Sequence, residues 1–418
     1  MQKKLPSARH DCSRRRDMNN QFVKKEKVSC SVCGSRDLQA VLELPAFPLT
    51  SIYIKDPAES ADYPNVDQAL MLCLRCGHGQ LRFFLEPDFV YGPLYWHRSS
   101  ASPIATSGND FFAEFLGRLT AGKAFRKIVE VGCNDLYLLR KIAAKGDELF
   151  GIDPIWKQRQ PPAEGNIRVI GKFIEEVDFQ KEIGGAPDLV LSVHTFEHVD
   201  EPKEPLRRLM EVAAPGALFV IEVPGFDTLL EISRFDQVFH QHVQYFSLAS
   251  MERLIGELGG EYVTHTFNYG YWGGTMLVAF QKPRGARVSA SAPRFSRPTP
   301  ELVAGSLASF CEEFSLARKA LATLHGERVY GYGGAQMLPT IAYHLKSDLS
   351  FFECVLDDNP DRDGLRYPHL SAVIRKPADD FSLEGASVLV TALDSARGIV
   401  KRAIELKAKR IIMPLRMF

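Results

Sequence analysis

From Ala124 to Gln281 short apolar runs alternate with stretches whose apolar residues recur every three or four positions. The runs are Lys127–Val131, Glu148–Ile152, Asp188–Val193, Ala217–Val223, Tyr262–Phe267 and Thr275–Gln281. Runs of this length read as buried strands and the stretches between them as helices. Their alternation predicts a mostly parallel sheet covered by helices on both faces. Only Asn268–Gly274 separates the last two runs, too little for a helical crossover, so these two are expected to pair antiparallel.

Pro283–Pro300 is rich in Pro, Ser, Ala and Arg and reads as a linker or strap. Beyond it, Leu302, Leu307, Phe310, Phe314, Ala317 and Leu321 mark one face of a helix. A second α/β unit follows: strands Arg328–Tyr332, Phe351–Leu356, Ser387–Ala392 and Arg410–Met413, with helices around Leu338–Leu345 and Ala396–Lys407. Residues 28–80 read as short strands and turns around two cysteine pairs. The expected divisions are therefore 1–27, 28–90, 91–282, a linker 283–300, and 301–418.

Composition narrows the class. The 418 residues are 45% hydrophobic and 24% charged, ordinary for a globular protein. Lys plus Arg (51) equals Asp plus Glu (51), so no global field favours nucleic acid or an anionic membrane. Apolar runs such as Ala217–Val223 fall short of the roughly 20 residues of a membrane span. Residues 1–27 are locally basic and read as a disordered, solvated extension rather than a binding arm. Nothing in the sequence demands more than a monomer.

Cys30-Ser-Val-Cys33-Gly34 and Cys73-Leu-Arg-Cys76-Gly77 are two C-x-x-C turns, each closed by glycine. Each turn aims two thiolates at one point, and two such turns complete the tetrahedral S4 shell that zinc accepts. Redox use is the rival reading, but two copies, each followed by glycine, argue for metal. With four protein ligands the zinc would be structural. His78 reads as a surface residue, with a spare ligand as the alternative. Free cysteines used in this way place the chain in a reducing cytoplasm.

Glu130-Val-Gly132-Cys-Asn134-Asp135 ends the first strand of the central unit, where an open α/β sheet binds its ligand. S-adenosylmethionine (SAM) loops read acidic-x-Gly-x-Gly-x-Gly; here Asn134 and Leu136 fill the second and third glycine slots. Asn134 tolerates positive φ better than most residues, whereas Leu136 is a departure. Asp153 ends the second strand, placed to grip ribose hydroxyls. Ser192-Val-His194-Thr-Phe196-Glu197-His198 ends a later strand and its polar groups line the same crevice, with a helix start as the alternative reading of His194. No phosphate-binding lysine and no G-x-G-x-x-G occurs in this loop, so SAM is favoured over a dinucleotide.

After the Ala217–Val223 strand come Phe239-His240-Gln241-His242 and then Tyr245-Phe246-Ser247. Two histidines among aromatics, outside any amphipathic pattern, are hard to explain by packing. An imidazole of near-neutral pKa suits removal of a weakly acidic proton.

This layout resembles the SAM-dependent nucleotide-sugar C-methyltransferases that act on 4-keto-deoxysugars, including the C-3 methyltransferases of antibiotic sugar pathways. The resemblance runs in order over about residues 28–415. The family's Glu-x-Gly-x-Asn-Asp loop is matched by Glu130, Gly132, Asn134 and Asp135. Its Tyr-His-Glu-His segment is matched in part, with Phe239 and Gln241 replacing the tyrosine and glutamate. The resemblance implies a zinc-binding N-terminal domain, a central class I SAM methyltransferase domain of Rossmann-like fold, and a second Rossmann-like C-terminal domain.

It also implies that His242 is the base, with His240 or Tyr95 stabilising the enolate oxygen. Gln241 stands at an assisting position, and Phe239 borders the substrate. The Tyr91–Tyr95–Trp96 stretch is similar to the family's lid, so Tyr95 and then Tyr91 would reach the sugar. Tyr332, Gly333 and Gly334 resemble the family's Gly-Tyr-Gly turn and would hold a phosphate of the nucleotide sugar, or the turn belongs to a degenerate copy that only covers the cleft. Asp357 and Asp358 end the next strand and would meet a ribose. Methylation of a sugar hydroxyl, a zinc-ribbon protein that binds nucleotide or SAM without catalysis, and an oxidoreductase at the Gly331–Gly334 turn are the competing readings.

Overall fold

The structure, a computed structural model, describes residues 24–90, 98–157, 159, 164–285, 293–324 and 326–416. In the N-terminal part lie β1 (Lys24–Glu26), β2 (Leu38–Phe47), β3 (Val66–Cys73), β4 (Gly79–Leu81) and β5 (Phe83–Leu85). The central part carries β6 (Phe125–Val131), β7 (Gly146–Ile152), β8 (Ile167–Ile170), β9 (Leu189–Val193), β10 (Leu218–Pro224), the short β11 (Gln244–Tyr245), β12 (Glu261–Asn268) and β13 (Thr275–Gln281). The C-terminal part adds β14 (Val329–Tyr332), β15 (Val355–Leu356), β16 (Ile374–Arg375), β17 (Ser387–Val390) and β18 (Arg410–Ile412).

The central sheet runs β8-β7-β6-β9-β10-β13-β12. Its first five strands are parallel, and β13 is inserted antiparallel between β10 and β12. This is the strand order of a class I methyltransferase domain. The expected pairing of the last two runs is therefore present. β8 escaped the sequence reading, because Ile167–Ile170 is short and interrupted by Arg168. Alternate residues of the parallel strands feed two separate cores. Val129, Phe150, Phe219 and Ile221 fill one face; Ile128, Leu149, Leu191 and Val220 fill the other.

The C-terminal sheet is all parallel, in the order β16-β15-β14-β17-β18. Its order reverses beside β14, as in other doubly wound sheets. The helix Pro300–Ala322 leads into it, capped by the Thr299 hydroxyl, which accepts from the Leu302 N–H, with proline at the first position. Its Phe310 and Phe314 pack on the edge of His344.

The N-terminal sheet holds a strand from elsewhere in the chain. Its order is β11-β4-β3-β2, so Gln244–Tyr245, just beyond the histidine segment, completes it. The basic extension also needs correction at its end. Lys24–Glu26 pairs with Phe83–Leu85, and the buried Lys27 ammonium meets Asp200 at 2.8 Å and Glu201 at 2.5 Å. These ion pairs and ladder bonds hold residues 24–27 in place; residues 1–23 lie outside the described part. The described end of the expected linker is packed as well: Arg297 donates to the Arg75 carbonyl at 3.2 Å. Among the described residues no helix is long and apolar enough to cross a membrane.

Candidate active site

The four cysteines converge. Cys30 and Cys76 sulfurs lie 3.6 Å apart, as do those of Cys33 and Cys73, and all four lie within 4.8 Å of one another. Sulfurs about 2.3 Å from a tetrahedral zinc stand about 3.8 Å apart, so the cluster fits the ion. Gly77 closes the second knuckle with φ +73, and a Cβ there would meet Pro298 at 2.7 Å. His78 is neither ligand nor surface residue. It is fully buried, its Nε2 is 2.9 Å from Gln244 Oε1, and burial lowers its pKa to about 4.

At the end of β6 the turn has the backbone that the glycine pattern requires. Gly132 has φ +77, and a Cβ there would fall 1.8 Å from Thr195 Oγ1. Asn134 (φ 43) and Leu136 (φ 70) both adopt the left-handed region in the two slots where glycine is missing. Leu136 offsets that strain by burying its side chain completely in the apolar core. Asp153 ties the turn to β7: Oδ2 accepts from the Asn134 N–H at 2.8 Å and Oδ1 from Ile155 at 2.9 Å. The Asp135 carboxylate accepts from the Ser100 N–H and hydroxyl. Glu130 is buried, its Oε2 has no partner, and burial, with Asp153 and Asp135 nearby, pushes its pKa up to about 8. An unmatched acid beside a backbone cradle that admits no Cβ fits the polar ends of SAM.

A second polar cluster stands at the ends of β9 and β10. His194 (φ 50) sets its Nδ1 3.0 Å from Glu197 Oε1, and its ring meets Tyr271 and Trp272 edge-on. His198 Nδ1 donates to the Gln241 carbonyl at 2.8 Å, and its Nε2 lies 3.8 Å from Glu197 Oε1. His242 packs on Phe239 with the rings tilted by 38° and centroids 4.0 Å apart, and meets His198 edge-on at 4.9 Å. Glu197, His198 and His242 each bring one ligand-type atom within 4.8 Å of the others. Burial, and then the imidazoles of His198 and His194, hold His242 well below its usual pKa. It is therefore a neutral imidazole.

Unmatched buried atoms concentrate here. His194 Nε2, Glu197 Oε2, Glu222 Oε2 and His242 Nδ1 are buried without partners, as is Glu130 Oε2 next door. Each such atom costs about 1–3 kcal/mol unless something polar meets it. Five in one region describe a ligand site. Sequence reading reached the His194–His198 segment and His242 but missed Glu222 and Tyr271. The signal for Glu222 was present, since it is the one charged residue in the run Leu218–Val223.

Two expected site residues serve packing instead. His240 sets Nε2 3.2 Å from the Phe47 carbonyl and Nδ1 3.5 Å from the Gln68 amide, and burial lowers its pKa to about 4. With both nitrogens occupied it is not a free donor. Gln241 donates to the Thr50 and Val90 carbonyls, each at 2.9 Å, and accepts from the Thr50 hydroxyl. It anchors the N-terminal part. Tyr91 and Tyr95, with Trp96, lie outside the described residues.

The C-terminal turn is closed from within. Tyr332, Gly333 and Gly334 are buried, and the Gly334 N–H donates to Asp357 Oδ2 at 2.7 Å. Asp357 is also paired with Arg362, and Tyr332 donates to the Asp358 carboxylate. The Tyr53 hydroxyl, from the N-terminal part, donates to the Gly334 carbonyl at 2.9 Å. In this arrangement the chain's own carboxylate occupies the donor that a phosphate would need, and Asp357 is not free for a ribose.

Comparison with known proteins agrees with this geometry. Residues 102–265 match the family model of a methyltransferase domain, and residues 30–91 match that of a zinc binding domain. Over 264 residues the chain is 30% identical to C-methyltransferase NovU of Streptomyces niveus, an alignment covering 62% of this chain and 61% of that protein. Over 100 residues it is 28% identical to a ubiquinone biosynthesis O-methyltransferase of Pseudomonas aeruginosa, covering 23% of this chain and 43% of that one. N-methyltransferase NodS of Bradyrhizobium japonicum aligns at TM-score 0.34 and 16% identity, over 44% of this chain and 98% of that one. The two domain matches and the strand order define a class I SAM-dependent methyltransferase domain. In this chain the match to a zinc binding domain precedes the match to a methyltransferase domain, and the aligned part spans less than two thirds of the length of C-methyltransferase NovU.

Proposed function

We propose that the protein is a SAM-dependent C-methyltransferase of a nucleotide-linked keto-deoxysugar. The observation that carries this reading is the neutral, unpartnered His242 among unmatched carboxyl and imidazole groups, beside the turn that fits SAM. The similarity to a C-methyltransferase and the resemblance of the Phe239–His242 segment support the carbon acceptor.

Glu130, the Gly132–Asp135 turn and Asp153 would hold SAM, which supplies an electrophilic methyl group when bound. A carbonyl acidifies the neighbouring C–H. His242 would take that proton, leaving the electron pair as an enolate whose carbon is the nucleophile toward the methyl group that bound SAM would supply. Phe239 packs against the imidazole and fixes its plane. The Glu197 carboxylate, within 4.8 Å of the His242 ring, offsets the positive charge that His242 acquires. The zinc holds the fold and takes no part in the chemistry.

Replacing His242 by alanine is expected to lower turnover by about 10²–10⁴-fold while leaving SAM affinity, measured by calorimetry, near wild type. Wild-type-like turnover in His242→Ala would remove it as the base. Mass spectrometry on a panel of keto-sugar nucleotides tests the substrate. A base-stable ether product without solvent deuterium uptake would indicate hydroxyl methylation instead. Because His242 is held neutral, kcat/KM is expected to stay level as pH falls through 6.5 and to drop only at the lower pKa.

A further inference from the structure

The C-methylation reading leaves one group unassigned. As the carbonyl becomes an enolate, its oxygen gains charge and needs a hydrogen-bond donor in a dry site. Phe239 has no hydroxyl to give, and His240 is committed to Phe47 and Gln68. We propose that Glu222 is that donor: a neutral carboxylic acid whose Oε2–H hydrogen-bonds the substrate carbonyl oxygen and the enolate oxygen it becomes. This rests on the C-methylation reading.

Glu222 sits near the carboxyl end of β10, in a strand that is otherwise apolar, and is fully buried. The Thr275 hydroxyl of β13 occupies Oε1 at 2.5 Å, which leaves Oε2 without a partner. The groups facing it are His194 and Glu197 beyond β9, Tyr271 from the β12–β13 turn, and Thr275. Taking a carboxylate out of water is costly, so burial favours the protonated acid. Burial pushes its pKa up to about 7, with Glu197 adding to the rise and His194 and the Thr275 hydroxyl opposing it. With Thr275 donating to Oε1, the proton is assigned to Oε2, and Glu197 Oε2 and His194 Nε2 are likewise buried without partners. A carboxylic acid kept neutral is a strong donor to a developing oxyanion. The bookkeeping is simple: Glu222 keeps its proton throughout, and His242 takes the proton that leaves carbon.

The test compares Glu222→Gln with Glu222→Leu. Gln offers an N–H donor in nearly the same shape and is expected to hold kcat within about 10-fold, whereas Leu is expected to lose about 10²–10³-fold. Both variants should bind SAM as the wild type does. Wild-type kcat/KM should fall as pH rises through about 7, where the donor proton is lost, and that fall should vanish in Glu222→Gln. Wild-type turnover in Glu222→Leu, or equal collapse of both variants, would overturn the proposal. So would an alkaline limb that survives in Glu222→Gln. Infrared difference spectra separate this assignment from the reaction itself. At pH 6 the wild type should show a protonated-carboxyl C=O stretch that Glu222→Gln lacks, whether or not keto sugars prove to be substrates; absence of that band would also overturn it.

Discussion

The chain folds one mostly parallel and one all-parallel sheet and ends the first strand of each in a glycine-containing turn, yet the two turns differ in how their polar groups are satisfied. After β6 the backbone is left-handed at Gly132, Asn134 and Leu136, and Glu130 keeps an unmatched oxygen. After β14 the Gly334 N–H already meets Asp357, Arg362 neutralises that carboxylate, and Tyr53 covers the loop. The same fold thus holds a vacancy in polar matching in one place and a completed network in the other. Strand order alone does not locate a ligand; unmet hydrogen-bonding capacity beside a cradle does.

The largest expected effect would disturb both turns at once. Stripping the zinc should unfold the N-terminal sheet, since structural zinc contributes on the order of 10 kcal/mol to small domains. That sheet carries β11, next to His242, and the loop after its β2 brings Tyr53 over Gly334. Thermal unfolding should shift down by many degrees, and an unchanged midpoint after chelation would refute the structural metal.

Next in size, Gly132→Ala should weaken SAM binding by two orders of magnitude or more in calorimetry, because its Cβ lands on Thr195 in a cradle of positive φ. Gly333→Ala also meets a close contact, Ala392 at 2.4 Å. It should destabilise the fold yet leave SAM affinity within about two-fold. Equal losses of affinity would erase the contrast between the turns. Asp357→Asn should cost about 2 kcal/mol in chemical denaturation by loosening Arg362 and Gly334, without touching the SAM dissociation constant.

A pH titration sharpens the contrast further. The folded pKa of Glu130, about 8, lies above its ordinary 4.5, so the folded state binds the extra proton. Stability of the cofactor-free protein should therefore fall as pH rises between those values, and Glu130→Gln should flatten that slope. The smallest effect belongs to Asn134→Gly, where relief of positive φ and loss of Asn134 Oδ1 bonds to the Ser99 and Asp135 N–H groups nearly cancel, within about 1 kcal/mol.

The parallel strands were readable because each is a continuous apolar run bounded by helical spacing. The metal knuckles were readable because ligand chemistry fixes their spacing. The central donor turn was legible through Glu130 and Gly132 even with Asn134 and Leu136 in the other slots, since φ rather than residue type is the constraint. What the sequence hid is what folding brings together from distant positions. His240 and His242 look equivalent in the chain, but one faces Phe47 and Gln68 and the other faces His198. Gln241 looked chemical and proved to be an anchor, because its partners Thr50 and Val90 lie far off in the chain. The closure of the Gly334 turn likewise depends on Asp357 and on Tyr53, which no local pattern links.

Because β11 belongs to the cysteine-rich sheet, the shortest piece with a complete donor seat is not the shortest piece with a placed base. A fragment trimmed to residues 98–285 would keep the whole central sheet with Gly132, Asp153 and His242 but lose the neighbouring strand that grips Gln244 and Tyr245. Such a truncation should still capture SAM while its histidine loop wanders, which makes it a binding scaffold rather than a small enzyme. Engineering new acceptors on this framework therefore calls for both lobes to be carried along.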